Sequence, residues 1–325
     1  MDEVVAVDLG GTNIRVARVD ATGRILARGK VPTLASEGMD AVMGRIAELV
    51  ASVKSPAVKA VGLGTPGVPD PVTGRLRLPA VNIAASTDYP LGGELAARTG
   101  LMAACDNDGN LAALGESWLG SGRGEAVVII FVLGTGIGGG LVIDGKLYHG
   151  NHNLGTEFGH VSIDFEGRQC GCGGRGCVER YASASALGRD AREFLASAAP
   201  SAKDSLLWKK CGGAAGLESI DAQMVCDAAR EGDAVAEFLL DRCCRWLACG
   251  IGSLVNALNP SCVIISGGMS AACDLIIPKL EREMNLGRGF GPIWHDTKFK
   301  PGILGDDAGL LGAAKLAFQK CGVTL

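Results

Sequence analysis

A glycine-lined turn between two strand-like runs occurs once in each half of this chain, and that repetition limits the architecture more than any other feature. In the first half, residues 4–8 lead through Leu9-Gly10-Gly11-Thr12 into a second run at 13–20, and a Thr22-Gly23 turn leads to a third at 25–31. A helical pattern over 39–53 and a strand over 60–64, ending in Thr65-Pro66-Gly67, complete one α/β unit. In the second half, an apolar run at 126–133 passes through a glycine-rich turn at 134–140 into a strand at 141–143 and a turn at Asp144-Gly145. The repeat predicts a duplicated α/β architecture. Helical patterns follow at 111–119, 234–258 and 308–320, with a strand at 263–266, and surface loops are expected at 197–203 and 211–216.

A length of 325 residues, 47% of them hydrophobic, supplies apolar material for two cores. The net charge of −4 carries no basic excess of the kind that tracks a phosphate backbone, which argues against nucleic-acid binding. The most apolar stretch, 127–133, is too short for a membrane helix, and two acids precede the first apolar run, the wrong polarity for a signal peptide. A cytoplasmic protein without membrane contact is expected. Twelve cysteines in such a chain point to metal binding where they cluster and to small buried hydrophobes where they scatter.

Both glycine turns can present backbone N–H groups to a phosphate. In the first, Gly10, Gly11, Thr12 and Asn13 form the turn, and Asp8 is placed to hold Mg²⁺ through water. In the second, Gly134, Thr135, Gly136 and Gly138 form it. Its G-x-G-x-x-G spacing resembles a dinucleotide fingerprint, but that motif needs a helix directly after the turn, and here a strand follows. Two phosphate hairpins fit ATP better than NAD, and neither has the Gly-Lys-Ser/Thr of a P-loop.

Asp108 follows Asn107 at the start of a helical pattern, where it serves either as a cap or as the base that takes a proton from an attacking hydroxyl, with Asn107 orienting that hydroxyl. The densest chemistry lies in Glu157-Phe158-Gly159-His160 and in Cys170-Gly171-Cys172-Gly173-Gly174-Arg175-Gly176-Cys177-Val178-Glu179. His160, Cys170, Cys172 and Cys177 make a complete tetrahedral set for a structural Zn²⁺, with no open position for a catalytic water. Glu157, His160 and Glu179 supply fixed polar groups for a polyol beside that metal.

Together these motifs resemble the ROK family of repressors and kinases, and within it the bacterial glucokinases, across nearly the whole chain. The resemblance rests on residues 8–12, Asn107-Asp108, 134–140, the E-x-G-H run at 157–160 and the C-x-C-G-x-x-G-C-x-E signature at 170–179. It implies a two-domain actin/hexokinase-like (ribonuclease H-like) α/β fold with an interdomain cleft. The smaller domain would span 1–116 joined by 308–325, and the larger 117–307 with the zinc loop. It also implies that Asp108 deprotonates the 6-hydroxyl of a hexose, glucose first, for attack on MgATP. Asn82, Asn107, Glu157, His160 and Glu179 would bind sugar hydroxyls, and Gly267-Gly268 the adenosine side. Homodimers are common in the family. N-acetylmannosamine, fructose and allose are the alternative acceptors, and a non-catalytic sugar-sensing regulator is the alternative of another class, one that needs an added DNA-binding helix-turn-helix. The chain departs from the glucokinase pattern over 80–86 and at Thr156, where the family favours a small residue.

Overall fold

The computed structural model describes residues 2–78, 83, 87–197, 200–288 and 294–323. The chain begins β1 (Glu3–Leu9), β2 (Asn13–Asp20), β3 (Ile25–Pro32), α1 (Met39–Val53), β4 (Val58–Thr65), β5 (Val68–Pro69), β6 (Leu76–Leu78), α2 (Leu91–Thr99), β7 (Met102–Asn107) and α3 (Asp108–Leu119). Strands β8 (Val127–Leu133), β9 (Ile137–Ile143) and β10 (Lys146–Leu147) come next. Then follow α4 (Glu179–Ala182), α5 (Ala184–Ser197), α6 (Leu206–Lys210), α7 (Ala222–Arg230), α8 (Ala234–Leu258), β11 (Cys262–Ser266), α9 (Cys273–Glu283), β12 (Lys298–Pro301) and α10 (Ala308–Lys320).

The duplication is written in the topology. One sheet has the order β3-β2-β1-β4-β7 and the other the order β10-β9-β8-β11-β12, the same path taken twice. In the first, β1 pairs antiparallel with β2 and parallel with β4, which pairs parallel with β7. In the second, the β9–β10 pair is antiparallel and the β11–β12 pair parallel.

Contacts divide the chain into two compact units, one of Met1–Ile130, Gly140–Thr156 and Ile303–Leu325, the other of Phe131–Gly139 and Glu157–Gly302. In the first unit β1 is buried on both faces. Val5, Val7 and Leu9 pack with Met43, Ile46 and Leu95, while Val4 and Ala6 pack with Leu111, Ala313 and Phe318. Two-sided burial explains why this strand reads as an unbroken apolar run instead of alternating. Helix α10 presses on β4 and α3 so closely that a Cβ at Gly62 or Gly115 would collide with the carbonyls of Ala313 or Ala308. These contacts fix α3, whose first residue is Asp108.

The second glycine turn is shorter than the sequence predicts. It closes at Gly136, and Gly138, Gly139 and Gly140 are already in β9. Gly140 lies where a Cβ would stand 2.6 Å from the Ala113 Cβ, so its glycine serves strand-to-helix packing within the first unit. The expected loops at 197–203 and 211–216 are partly helical, since α5 runs to Ser197 and short 3₁₀ turns occupy Pro200–Asp204 and Gly213–Ser219. Such turns satisfy backbone groups locally where no sheet or longer helix can. Among the described residues no helix is long and apolar enough to cross a membrane.

Candidate active site

The first glycine turn is tethered by a residue that its sequence motif does not include. Thr33 donates its hydroxyl to the Gly10 carbonyl at 2.6 Å and its N–H to the Thr12 carbonyl at 2.8 Å. The Gly10 N–H is taken by the Asn13 carbonyl at 3.0 Å, while Gly11 and Thr12 stay exposed. Exposed amides on a fixed turn are what an anion needs. Asp8 faces Arg15 directly across the β1–β2 pair, and Arg15 donates from both Nε, at 2.9 Å, and Nη2 to the same oxygen, Oδ2. A cation held by Asp8 would therefore use Oδ1.

Asn107 caps α3, its Oδ1 accepting the Gly109 N–H at 2.9 Å, and its Nδ2 donates to the Gly67 carbonyl at 3.2 Å. That second bond ties the helix start to the Thr65-Pro66-Gly67 turn after β4. Asp108 is the first helical residue, exposed, with Oδ1 2.8 Å from the Gly109 N–H. A helix start that ends a parallel strand presents a carboxylate on a rigid base.

In the second unit, the turn at 134–136 is closed by a bond from the Gly134 N–H to the Gly136 carbonyl at 2.9 Å. Glu179, the first residue of α4, accepts the Ile137 N–H on Oε2 at 2.9 Å. Gly267, at φ 82°, backs onto the end of β8, where a Cβ would stand 2.6 Å from the Leu133 carbonyl oxygen. The Gly267-Gly268 turn and the 134–136 turn are thus brought together. Beside Gly268 lies a cavity of about 360 Å³ lined in part by Ala184, Asp221, Ala222 and Arg230. A recess of about 240 Å³ continues from it past Ala184, Asp221 and Ala222 to Thr135. A trough of this size is large enough for a nucleoside. Asp221, Arg230 and the α7 start carry no motif, and only the tertiary fold exposes them.

The four side chains that the sequence puts forward as metal ligands lie together. One ligand atom each from His160, Cys170, Cys172 and Cys177 lies within 4.8 Å of all the others. Cys170 Sγ is 3.6 Å from His160 Nδ1, and Cys172 Sγ is 3.6 Å from Cys177 Sγ. Tetrahedral zinc with Zn–S near 2.3 Å spaces its sulfurs about 3.8 Å apart, so the donor set fits. Bridges between Ser162 and Cys177 and between Gln169 and Arg175 fold the loop into a small hairpin. Gly176, at φ 71°, could not carry a Cβ against the Asp164 carbonyl. Burial and the neighbouring thiols push the Cys177 thiol up to about 12, while the Gly174 N–H and the flanking thiols lower that of Cys172. Binding a cation here would require the three thiols to give up their protons, which couples metal affinity to pH. With Nδ1 in the cluster, Nε2 of His160 is left for another partner.

Glu157 is exposed just before the Phe158–His160 turn, and Phe158 packs on Phe131 at 5.7 Å between ring centres. Gly159 fits only because it has no Cβ to strike the Ile137 carbonyl. Gly138 lies exposed within β9, and Asn82 lies outside the described residues.

Residues 4–320 match the model of the ROK family. The glucokinase of Thermotoga maritima is 37% identical over 321 residues, covering 98% of both chains. The glucokinase of Streptomyces coelicolor is 36% identical over 324 residues, again covering 98% of both. A crystal structure of a ROK family glucokinase from Streptomyces griseus in complex with glucose and AMPPNP has a TM-score of 0.80 at 35% identity, covering 98% of this chain and 99% of that one. The fold is that of the ROK sugar kinases, an actin and hexokinase-like α/β architecture. With the two glycine turns, the Asn107-Asp108 corner and the Cys/His cluster in place, a match over almost the entire length identifies the chain as a member of the ROK family.

Proposed function

We propose that this protein is an ATP-dependent hexose kinase that phosphorylates glucose at its 6-hydroxyl. The observation that carries the reading is the near-full-length likeness to glucokinases in a chain that keeps Asp108 exposed at the start of α3. Asp108 takes the proton of the 6-hydroxyl as the sugar oxygen attacks the γ-phosphorus, a bond to the β–γ bridging oxygen breaks, and ADP leaves. Asn107, Glu157, Glu179 and Nε2 of His160 hold the sugar hydroxyls, and Asn82 joins them by the family pattern. Gly10, Gly11, Thr12, Asn13, Gly134, Thr135, Gly136 and Gly138 bind the phosphates, and Gly267-Gly268 with the adjoining trough binds the nucleoside. Asp8 would hold Mg²⁺ through water, and the ion, when bound, neutralises charge on the transferring phosphoryl group. His160, Cys170, Cys172 and Cys177 would hold a structural Zn²⁺ that shapes the sugar-binding loop. The reading keeps the two units as the contacts divide them and places the protein in the cytoplasm as a homodimer.

A coupled ADP-release assay across glucose, N-acetylmannosamine, fructose and allose tests the reading. Glucose-dependent turnover with the highest kcat/KM for glucose supports it. A different preferred hexose reassigns the acceptor, and sugar binding without turnover on any hexose replaces the kinase with a sensor.

A further inference from the structure

The catalytic scheme gives no role to the buried carboxylate that lies nearest in sequence to Asp108. Asp106, in β7 two residues before Asp108, is wholly shielded from solvent. Its Oδ1 accepts the Asn107 N–H at 2.7 Å and the Asn110 Nδ2 at 2.9 Å, and its Oδ2 meets Nε2 of His149 at 2.6 Å. Asn110, buried one turn into α3, accepts the Thr156 hydroxyl at 3.1 Å. Asn153, also buried, donates from Nδ2 to the Pro69 carbonyl at 2.5 Å. The segment 149–156 is therefore fastened at three points, to β5 and to the corner between β7 and α3.

Two features mark this network as more than packing. A buried acid paired with a histidine stabilises a core less than apolar residues of the same volume do, so its presence asks for another reason. Asn153 and Thr156 also sit at φ 60° and 66°, a left-handed conformation that non-glycine residues hold only where their surroundings enforce it. The bonds from Asn153 and Thr156 provide that enforcement. Segment 149–156 then runs straight into Glu157.

We infer that Asp106 and His149 are positioning residues for phosphoryl transfer. Asp106 grips the backbone just before Asp108 and, through Asn110, the helix turn just after it. Any displacement of Asp106 therefore moves the base from both sides. His149 closes the grip from segment 149–156 of the same unit, so the strand end that carries the base is also held from outside its own helix. The inference rests on Asp108 being the base.

The test compares His149→Leu, which removes the donor to Asp106, with His149→Gln, which keeps an N–H within reach. Misplaced reacting groups cost rate steeply, so the leucine variant should lose roughly 10- to 100-fold in kcat, with KM for glucose and ATP moved less than about threefold. The glutamine variant should recover most of the rate, and both should melt in one cooperative transition. A folded leucine variant with kcat within about twofold of the parent overturns the inference, as does a loss that falls on KM alone. Should the leucine variant fail to fold, Thr156→Val, which removes the hydroxyl shared between Asn110 Oδ1 and the Gly155 carbonyl, stands in its place under the same criteria. Asp108→Ala assayed in parallel separates the two failures. If it retains turnover, the base assignment falls; if it is inactive while His149→Leu is fully active, only the positioning role falls.

Discussion

Glu179 Oε2 holds the Ile137 N–H at 2.9 Å, so the residue that follows the metal loop also clasps the second glycine turn. The same oxygen fills the space where a Cβ at Gly136 would project. Gly136→Ala must push the carboxylate off Ile137 or reshape the turn, and either change disturbs at once the groups proposed to bind phosphate and sugar. The expected outcome is a loss of tenfold or more in kcat/KM for ATP, equivalent to about 1.4 kcal/mol of transition-state stabilisation, with little change in melting temperature. Steady-state kinetics beside a thermal melt check it.

Asp108→Asn keeps the size and helix-start position of the side chain but removes its basicity. General-base catalysis is worth about 10² to 10⁴ in rate, and kcat should fall by that range while glucose affinity measured by calorimetry stays within a few-fold. Undiminished kcat would remove Asp108 from the mechanism.

The metal is checked by content and by stability. Elemental analysis should find about one zinc per chain in the parent and almost none in Cys172→Ser, because three remaining donors leave the tetrahedral set open. Losing the cross-link should cost about 3 kcal/mol or more and lower the melting temperature by roughly 6 °C or more, reversibly with chelator in the parent.

Local signals carried much of this fold because they have local causes. The 3.6-residue periodicity marks 39–53, 234–258 and 308–320, and those helices form over the same residues. The Cys/His cluster was legible because its spacing permits little else. Legibility failed where long-range contact decides. Gly138, Gly139 and Gly140 read as turn because nothing in sequence says that β9 must pass Ala113 closely. Arg15 carries no motif of its own, yet the β1–β2 register sets it opposite Asp8. Asp221 and Arg230 on the trough, and His149 beside Asp106, are likewise partners only in three dimensions.

Asp190 on α5 makes stability depend on pH. Its side chain is 7% exposed and takes bonds from Arg168 and Arg189, each at 2.8 Å, on Oδ1 and from Arg242 at 2.9 Å on Oδ2. Arg168 belongs to the metal loop, so this carboxylate fastens that loop to α5 and α8. Burial alone would raise its pKa, but the bonds from Arg189 and Arg168 outweigh burial and hold the carboxyl below the ordinary range. Because the folded-state value lies under the unfolded one of about 3.9, the contribution is complete above about pH 4 and drains away as pH falls through the folded-state value. Asp190→Asn should therefore cost about 2–3 kcal/mol at pH 7, less than a fully buried pair because the three guanidinium side chains remain 24–36% exposed. Denaturant unfolding at pH 7 and again near pH 3 measures the gap between variant and parent. It should narrow on acidification, because the parent loses its paired carboxylate while the asparagine variant has none to lose; a gap that stays constant would mean that Asp190 contributes by shape and hydrogen bonding and not by charge.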